Sequence, residues 1–155
     1  MPDFPGPAMR LLTICLGNIC RSPAAEVVLR RLAGPGVTVD SAGTSGWHDG
    51  KAPYPPMIEA AARRGLDLSP LRARRFLAAD FARFDLILAM DRDNLAAIEA
   101  LRPDTSPTPA RLFLDPLPGH GPDVPDPYYT RDFESCLDLI EAASCAWLPH
   151  LRASG

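Results

Sequence analysis

At 155 residues the chain is long enough for one domain with a proper core, and 46% hydrophobic residues exclude a chain that is disordered by composition. A net charge of −3 excludes a general nucleic-acid binder, which would carry a basic face, so any phosphate recognition must be local. No apolar run approaches a membrane span, and 4 cysteines without a secretory leader suit reduced thiols in the cytoplasm.

Residues 1–8, with Pro2, Pro5, Gly6 and Pro7, are expected to form a flexible extension, and residues 9–152 a single domain. The first organised stretch is Leu11-Leu12-Thr13-Ile14-Cys15-Leu16-Gly17-Asn18-Ile19-Cys20-Arg21-Ser22-Pro23. It starts as an apolar strand, near Met9, and ends at the opening of a helix. A loop that wraps into a helix N-terminus turns several backbone N–H groups toward one point, where the helix dipole favours an anion. Gly17 and Asn18 supply the two residue types most tolerant of a left-handed turn, and Pro23 fits a first helical turn. Arg21 can fork two hydrogen bonds onto two phosphate oxygens. Cys15 sits at the floor of this cradle, with Ser22 near enough in sequence to donate to it. Helix N-termini and adjacent cations shift thiols toward thiolate, the form that attacks. A buried structural cysteine would explain neither the Gly-Asn turn nor the arginine.

Residues 24–32 predict an amphipathic helix with Ala25, Val28, Leu29 and Leu32 on one face, stopped by Gly34-Pro35-Gly36. Val37-Thr38-Val39 predicts a second strand, which makes a βαβ unit and a parallel pair. Residues 40–50 then read as a loop at the strand's carboxyl end, where ligands gather in a doubly wound sheet. Trp47 is either a hydrophobic plug or a wall of the pocket; so glycine-rich a loop favours the wall. His48 reads as a rim residue rather than a base. Met57, Ile58, Ala61 and Ala62 trace the next helix, ended by Gly65. Residues 86–90 predict a fully buried strand. Asp91 ends it and can cap a helix over 94–101, which leaves a further role for that carboxylate open. Leu112-Phe113-Leu114 predicts the fourth strand. Residues 115–130 read as a long irregular loop holding Asp126-Pro127-Tyr128-Tyr129, and loops of that length in compact domains are usually functional. The last helix is expected over 131–151, with Phe133, Cys136, Leu137, Ile140, Ser144, Trp147, Leu148 and Leu151 on one face and Cys136 and Cys145 assigned to core packing. His48, His120 and His150 are scattered, and no metal ligand cluster or cofactor motif is visible.

Cys15, five residues, Arg21 and Ser22 form the signature of cysteine-dependent phosphatases, and the whole string from Cys15 to Pro23 resembles the low-molecular-weight protein tyrosine phosphatases. The likeness extends over most of the chain. It implies a three-layer α/β/α architecture with a four-stranded parallel sheet, the flavodoxin-like phosphotyrosine phosphatase I fold. It implies Cys15 as nucleophile, Asp126 as general acid and base, and a phosphate held by Arg21 and by the loop over Leu16, Gly17, Asn18, Ile19 and Cys20. Ser22 and Ser41 would support that loop, while Trp47, His48, Tyr128 and Tyr129 would wall an aromatic substrate. The implied substrate is a phosphotyrosine protein or other aryl phosphate, with no cofactor, nucleic acid or membrane. A cognate tyrosine kinase is a candidate partner, with Tyr128 and Tyr129 as sites of its control. Cys20 is either a small core residue or the partner of Cys15 in a reversible disulfide, which the resemblance favours. The chain departs from the family at Tyr54, where Asp-Pro-Arg or similar is usual in this region, and at Leu71, where many relatives carry a histidine. Thr130-Arg131-Asp132-Phe133 is also shorter than the matching segment in many relatives, which tightens the acid loop. Two rivals share the loop: a thiol-dependent arsenate reductase and a non-catalytic oxyanion-binding module. The first needs a relay of further cysteines, and none lies between Cys20 and Cys136; the second has no need of Asp126.

Overall fold

The computed structural model describes residues 9–151. The extension expected over 1–8 lies outside the described residues. Strand β1 (Met9–Cys15) runs into helix α1 (Arg21–Ala33), and β2 (Val37–Gly43) returns beside β1. Helices α2 (Pro55–Ala62) and α3 (Asp80–Arg83) precede β3 (Leu86–Ala89). Then come α4 (Arg92–Ala100), β4 (Ala110–Leu112), the single turn α5 (Pro127–Thr130) and the long α6 (Phe133–Leu151). The four strands lie in the order β2-β1-β3-β4 and every pair is parallel. Strand order reverses at β1, so the carboxyl end of β1, Cys15, opens at the switch point where such sheets bind ligands.

The strands are apolar throughout because both faces are covered. Alternate residues go opposite ways: Leu11, Leu86 and Leu88 join the core under α1, α2 and α6, while Leu12, Ile14, Ile87 and Ala89 join Phe81 and Ile98 of α3 and α4. Leu11, Leu12, Ile14 and Ile87 have no exposed surface, and truncating any one to alanine costs about 2–5 kcal/mol. Thr13 is also fully buried, its hydroxyl donating to the Ser22 carbonyl at 2.9 Å, which ties the centre of β1 to the first turn of α1.

Several boundaries differ from the sequence expectation. Helix α1 begins at Arg21, three residues early, so Arg21 and Ser22 belong to its first turn. Residues 40–43 extend β2, because Leu12 to Cys15 pair in register with Asp40 to Gly43. Strand β4 lies at 110–112 because it pairs with Ile87–Ala89; Phe113 and Leu114 are buried just beyond it. The segment 115–130 is not wholly irregular, since α5 closes one turn. Helix α6 begins at Phe133 because Arg131 is left-handed, at φ 63°, and Asp132 accepts the Ser135 N–H at 3.0 Å as a cap. Cys136 is buried as expected, but Cys145 is exposed and does not pack in the core.

Candidate active site

Between β1 and α1 the loop folds over Cys15. Asn18 takes the left-handed conformation, at φ 57°, while Gly17 does not. Gly17 gives closeness rather than a turn: a Cβ there would lie 3.0 Å from the His48 ring, which would have to give way. Gly43 meets the loop from the other side, where a Cβ would come within 2.9 Å of the Leu16 carbonyl oxygen. The end of β2 can therefore press against the loop only without a side chain.

The first turn of α1 has no acidic residue and no side-chain cap. Pro23 brings no N–H and the Ala24 N–H turns back to the Cys20 carbonyl at 3.3 Å, in contrast to α4, where Asp91 Oδ1 accepts the Asn94 N–H at 2.7 Å. Cys15 Sγ lies 3.0 Å from Ser22 Oγ and accepts the Ser22 N–H at 3.5 Å. Asn18 Nδ2 donates to Ser22 Oγ at 2.8 Å and to Ser41 Oγ at 3.0 Å. With Ser22 Oγ occupied as an acceptor, its own proton is free to point at Cys15 Sγ. Ser41 Oγ passes its proton on to Glu26 Oε1 at 2.6 Å, and Arg30 pairs with the other oxygen of Glu26. Burial pushes the Glu26 carboxyl up, against the pull of Ser41 and Arg30. Leu71, noted above as a departure from the family, packs against the core. The loop is braced instead through Asn18 Oδ1, which accepts the Arg74 backbone N–H at 3.0 Å.

Arg21 is 3% exposed and joins three segments. Nη1 donates to Asp91 Oδ2 and to the Val124 carbonyl, each at 2.8 Å, and Nη2 reaches Asp126 Oδ2 at 3.4 Å. Burial opposes its charge, but Cys15, Asp91 and Asp126 outweigh that and hold the guanidinium cationic. Nε is buried with no partner among the described residues. The Nε–Nη2 edge is therefore the face that a phosphate could take in a fork. Asp91 thus both caps α4 and holds Arg21, which resolves the open reading of that carboxylate.

The cleft above Cys15 encloses about 290 Å³. Cys15, Leu16, Gly17, Ile19 and Cys20 form its floor; Trp47, His48, Tyr128 and Tyr129 form its walls, with Asp126 at the edge. The four residues that the sequence nominated for the walls and most of those nominated for the phosphate loop meet here, and Trp47, at 74% exposed, is a wall and not a plug. Asn18, Arg21, Ser22 and Ser41 lie behind the floor. Asp126 is extended, as the following proline requires, and its Oδ1 accepts the Tyr128 N–H at 3.0 Å. Burial pushes the thiols of Cys20 and Cys136 up, that of Cys136 to about 12. Sequence reasoning missed Glu26, although Ser22, Glu26 and Arg30 form a polar column at helical spacing on an otherwise apolar face. It also missed Val124, which offers only a backbone carbonyl.

A thiol on the floor of a loop that opens a helix, with a buried guanidinium beside it and a carboxylate across an aromatic cleft, defines the cysteine-dependent phosphatase class. A model of the low molecular weight phosphotyrosine protein phosphatase family matches residues 10–155, and the chain belongs to that family. The low molecular weight protein-tyrosine-phosphatase of Streptomyces coelicolor is 44% identical over 155 aligned positions, covering 92% of this chain and 93% of that protein. The crystal structure of YfkJ from Bacillus subtilis matches at a TM-score of 0.90 and 34% identity, over 96% of this chain and 98% of that one. Vibrio vulnificus Wzb in complex with benzylphosphonate matches at a TM-score of 0.82 and 30% identity, over 92% and 99%. The protein is a protein-tyrosine phosphatase, a hydrolase of phosphoric monoesters. Among the described residues no helix is long and apolar enough to cross a membrane.

Proposed function

We propose that the chain hydrolyses phosphotyrosine in two steps on Cys15. In the first, Cys15 Sγ attacks phosphorus as thiolate, an S–P bond forms, the ester P–O bond breaks, and Asp126 gives its proton to the departing phenol oxygen. In the second, water attacks the phosphocysteine, Asp126 takes the water's proton, and the S–P bond breaks to release phosphate and the thiolate. Arg21 and the loop amides hold the non-bridging oxygens throughout. The observation that carries this reading is the juxtaposition of Cys15 and Asp126 on one cleft, with the Nε–Nη2 edge of Arg21 beside them. Aromatic walls of Trp47 and Tyr128 favour an aryl ester, and their height keeps a shorter phosphoserine from reaching Cys15. The benzylphosphonate carried by the Vibrio vulnificus relative joins an aromatic ring to a phosphorus oxyanion through one atom, as an aryl phosphate does.

The test is to quench turnover of an aryl phosphate in acid and map the phosphate adduct by mass spectrometry. The adduct is expected on the peptide bearing Cys15, absent from Cys15→Ser and accumulated in Asp126→Asn. An adduct elsewhere, or none, overturns the assignment. The cysteines of the described residues are all free, which suits the reducing cytoplasm as the site of action. Tyr128 and Tyr129, 43% and 71% exposed, are open to a cognate tyrosine kinase, and mass spectrometry after incubation with that kinase would find them phosphorylated.

A further inference from the structure

General acid catalysis by Asp126 requires its carboxyl to stay at one depth relative to Cys15, yet it sits on a segment with a single helical turn and exposed aromatics. One side chain spans the gap between that segment and the phosphate loop. Tyr54, just before α2, donates its backbone N–H to the Ile19 carbonyl at 2.8 Å, which anchors it to the phosphate loop. Its ring reaches the acid segment, with its centroid 5.2 Å from that of Tyr128 and 6.1 Å from that of Phe133. Its hydroxyl accepts from Arg131 Nη1 at 2.9 Å. Arg131 closes the arrangement. Its guanidinium lies over the rings of Tyr54 and Phe133, 5.2 Å and 5.4 Å from their centroids. Its backbone is left-handed, a conformation uncommon for a long side chain, and its N–H donates to the Pro127 carbonyl at 2.8 Å, closing the turn that begins at Asp126. Neither residue lines the cleft.

We propose that Tyr54 and Arg131 are positioning residues that fix the general-acid segment against the nucleophile loop. The ring of Tyr54 acts as a spacer and Arg131 locks the turn onto it. The short link from Tyr129 to Phe133 leaves room for this only because Arg131 accepts the left-handed turn. The proposal rests on Asp126 being the general acid, and the test separates the two.

The test measures kcat/KM for phenyl phosphate and for para-nitrophenyl phosphate. Phenol, whose acidity resembles the tyrosine side chain at a pKa of about 10, needs a proton to leave, whereas nitrophenolate leaves readily without one. Tyr54→Leu and Arg131→Asn are each expected to lower kcat/KM about tenfold on phenyl phosphate and less than about threefold on the nitrophenyl ester. Asparagine is chosen because it tolerates the left-handed backbone while removing the guanidinium. The double variant is expected to lose no more than about the larger single loss, since both act through one contact. Tyr54→Phe, which keeps the ring against Tyr128, is expected to recover most of the phenyl phosphate activity, and it carries the comparison if Tyr54→Leu fails to fold. Equal losses on the two esters, or no loss, alongside a selective loss in Asp126→Asn, would overturn the clamp and leave the acid in place. A non-selective Asp126→Asn would remove the acid assignment, and the clamp with it.

Discussion

On the Cys15 side of the cleft, Ser22, Asn18, Ser41 and Glu26 are at most 5% exposed and form a hydrogen-bond network that branches from Asn18, through Ser22 to the thiol and through Ser41 to Glu26. On the Asp126 side, Tyr128 and Tyr129 are 43% and 71% exposed, and the segment is held by ring contacts, one left-handed residue and the long contact to Arg21. The two sides meet different demands. A nucleophile must be ionised and fixed, so it is embedded in a buried network where each broken hydrogen bond is costly. An acid must approach a leaving group on a bound ring, so it lies at the rim on a segment that few buried contacts restrain.

Arg21, in the first turn beside Cys15, reaches Asp126 across the cleft, and breaking it gives the largest effect. Arg21→Lys keeps a charge but cannot hold Asp91, Val124 and a phosphate fork together. A loss of about 10³ in kcat/KM on para-nitrophenyl phosphate is expected, comparable to removal of an oxyanion donor. A loss under about tenfold would mean that a point charge suffices and that the fork does not act.

The buried side can be broken alone at Asn18. Asn18→Ala removes the donor shared by the Ser22 and Ser41 hydroxyls, strands the Arg74 N–H, and puts a Cβ residue without a compensating side-chain bond at φ 57°. A stability loss of about 3 kcal/mol by urea unfolding is expected, with kcat lowered about tenfold. Asn18→Gly suits the backbone and should recover only the part that belongs to it. If both variants unfold with the wild type, the network does not hold the loop.

Cys20 shares the buried side, and peroxide sharpens its role. Burial, and then the negative charges at Cys15 and Asp126, push its thiol up, so at neutral pH it stays protonated. If it nonetheless traps an oxidised Cys15, the disulfide forms as water leaves the sulfenic acid, and an added thiol reverses it. After peroxide treatment, wild type is then expected to recover nearly all its activity with added thiol, and Cys20→Ala about a third. Equal recovery would leave Cys20 as floor packing alone.

The two sides also differed in how legible they were. Cys15, Arg21 and the loop could be read because chemistry and backbone geometry restrict nearly every residue from Cys15 to Pro23. Asp126 was harder: Asp-Pro is a common turn, and only the likeness to a family singled it out. The extent of β2 was missed because Asp40, Ser41 and Gly43 look like turn formers, while pairing with β1 overrides that preference. The later start of α6, at Phe133 rather than 131, was missed because nothing local signals that Arg131 will turn left-handed; packing on Tyr54 and Phe133 accompanies that turn. Glu26 was hidden for the opposite reason, since a glutamate in a helix suits solvent, and only the fold carries it under β2.

That buried carboxylate gives the smallest and most specific test of the difference between the two sides. Burial raises Glu26, so the folded chain binds its proton more tightly than the unfolded chain does. Its contribution is fully present below the ordinary glutamate value of about 4.3 and is lost as pH rises through the raised value in the fold. Asp85 and Asp123 slope the other way: hydrogen bonds from Arg10 and Arg92 lower them, so their contribution is lost as pH falls. Those groups are common to wild type and Glu26→Gln, so the difference in unfolding free energy between the two proteins isolates Glu26. That difference, wild type minus variant, is expected to fall as pH rises from about 4 toward 8. A flat difference would mean that Arg30 and Ser41 offset burial in full, and a rising one that they outweigh it. Either outcome would turn the buried side of the cleft from one held at an electrostatic cost into one held by ordinary surface-like pairing.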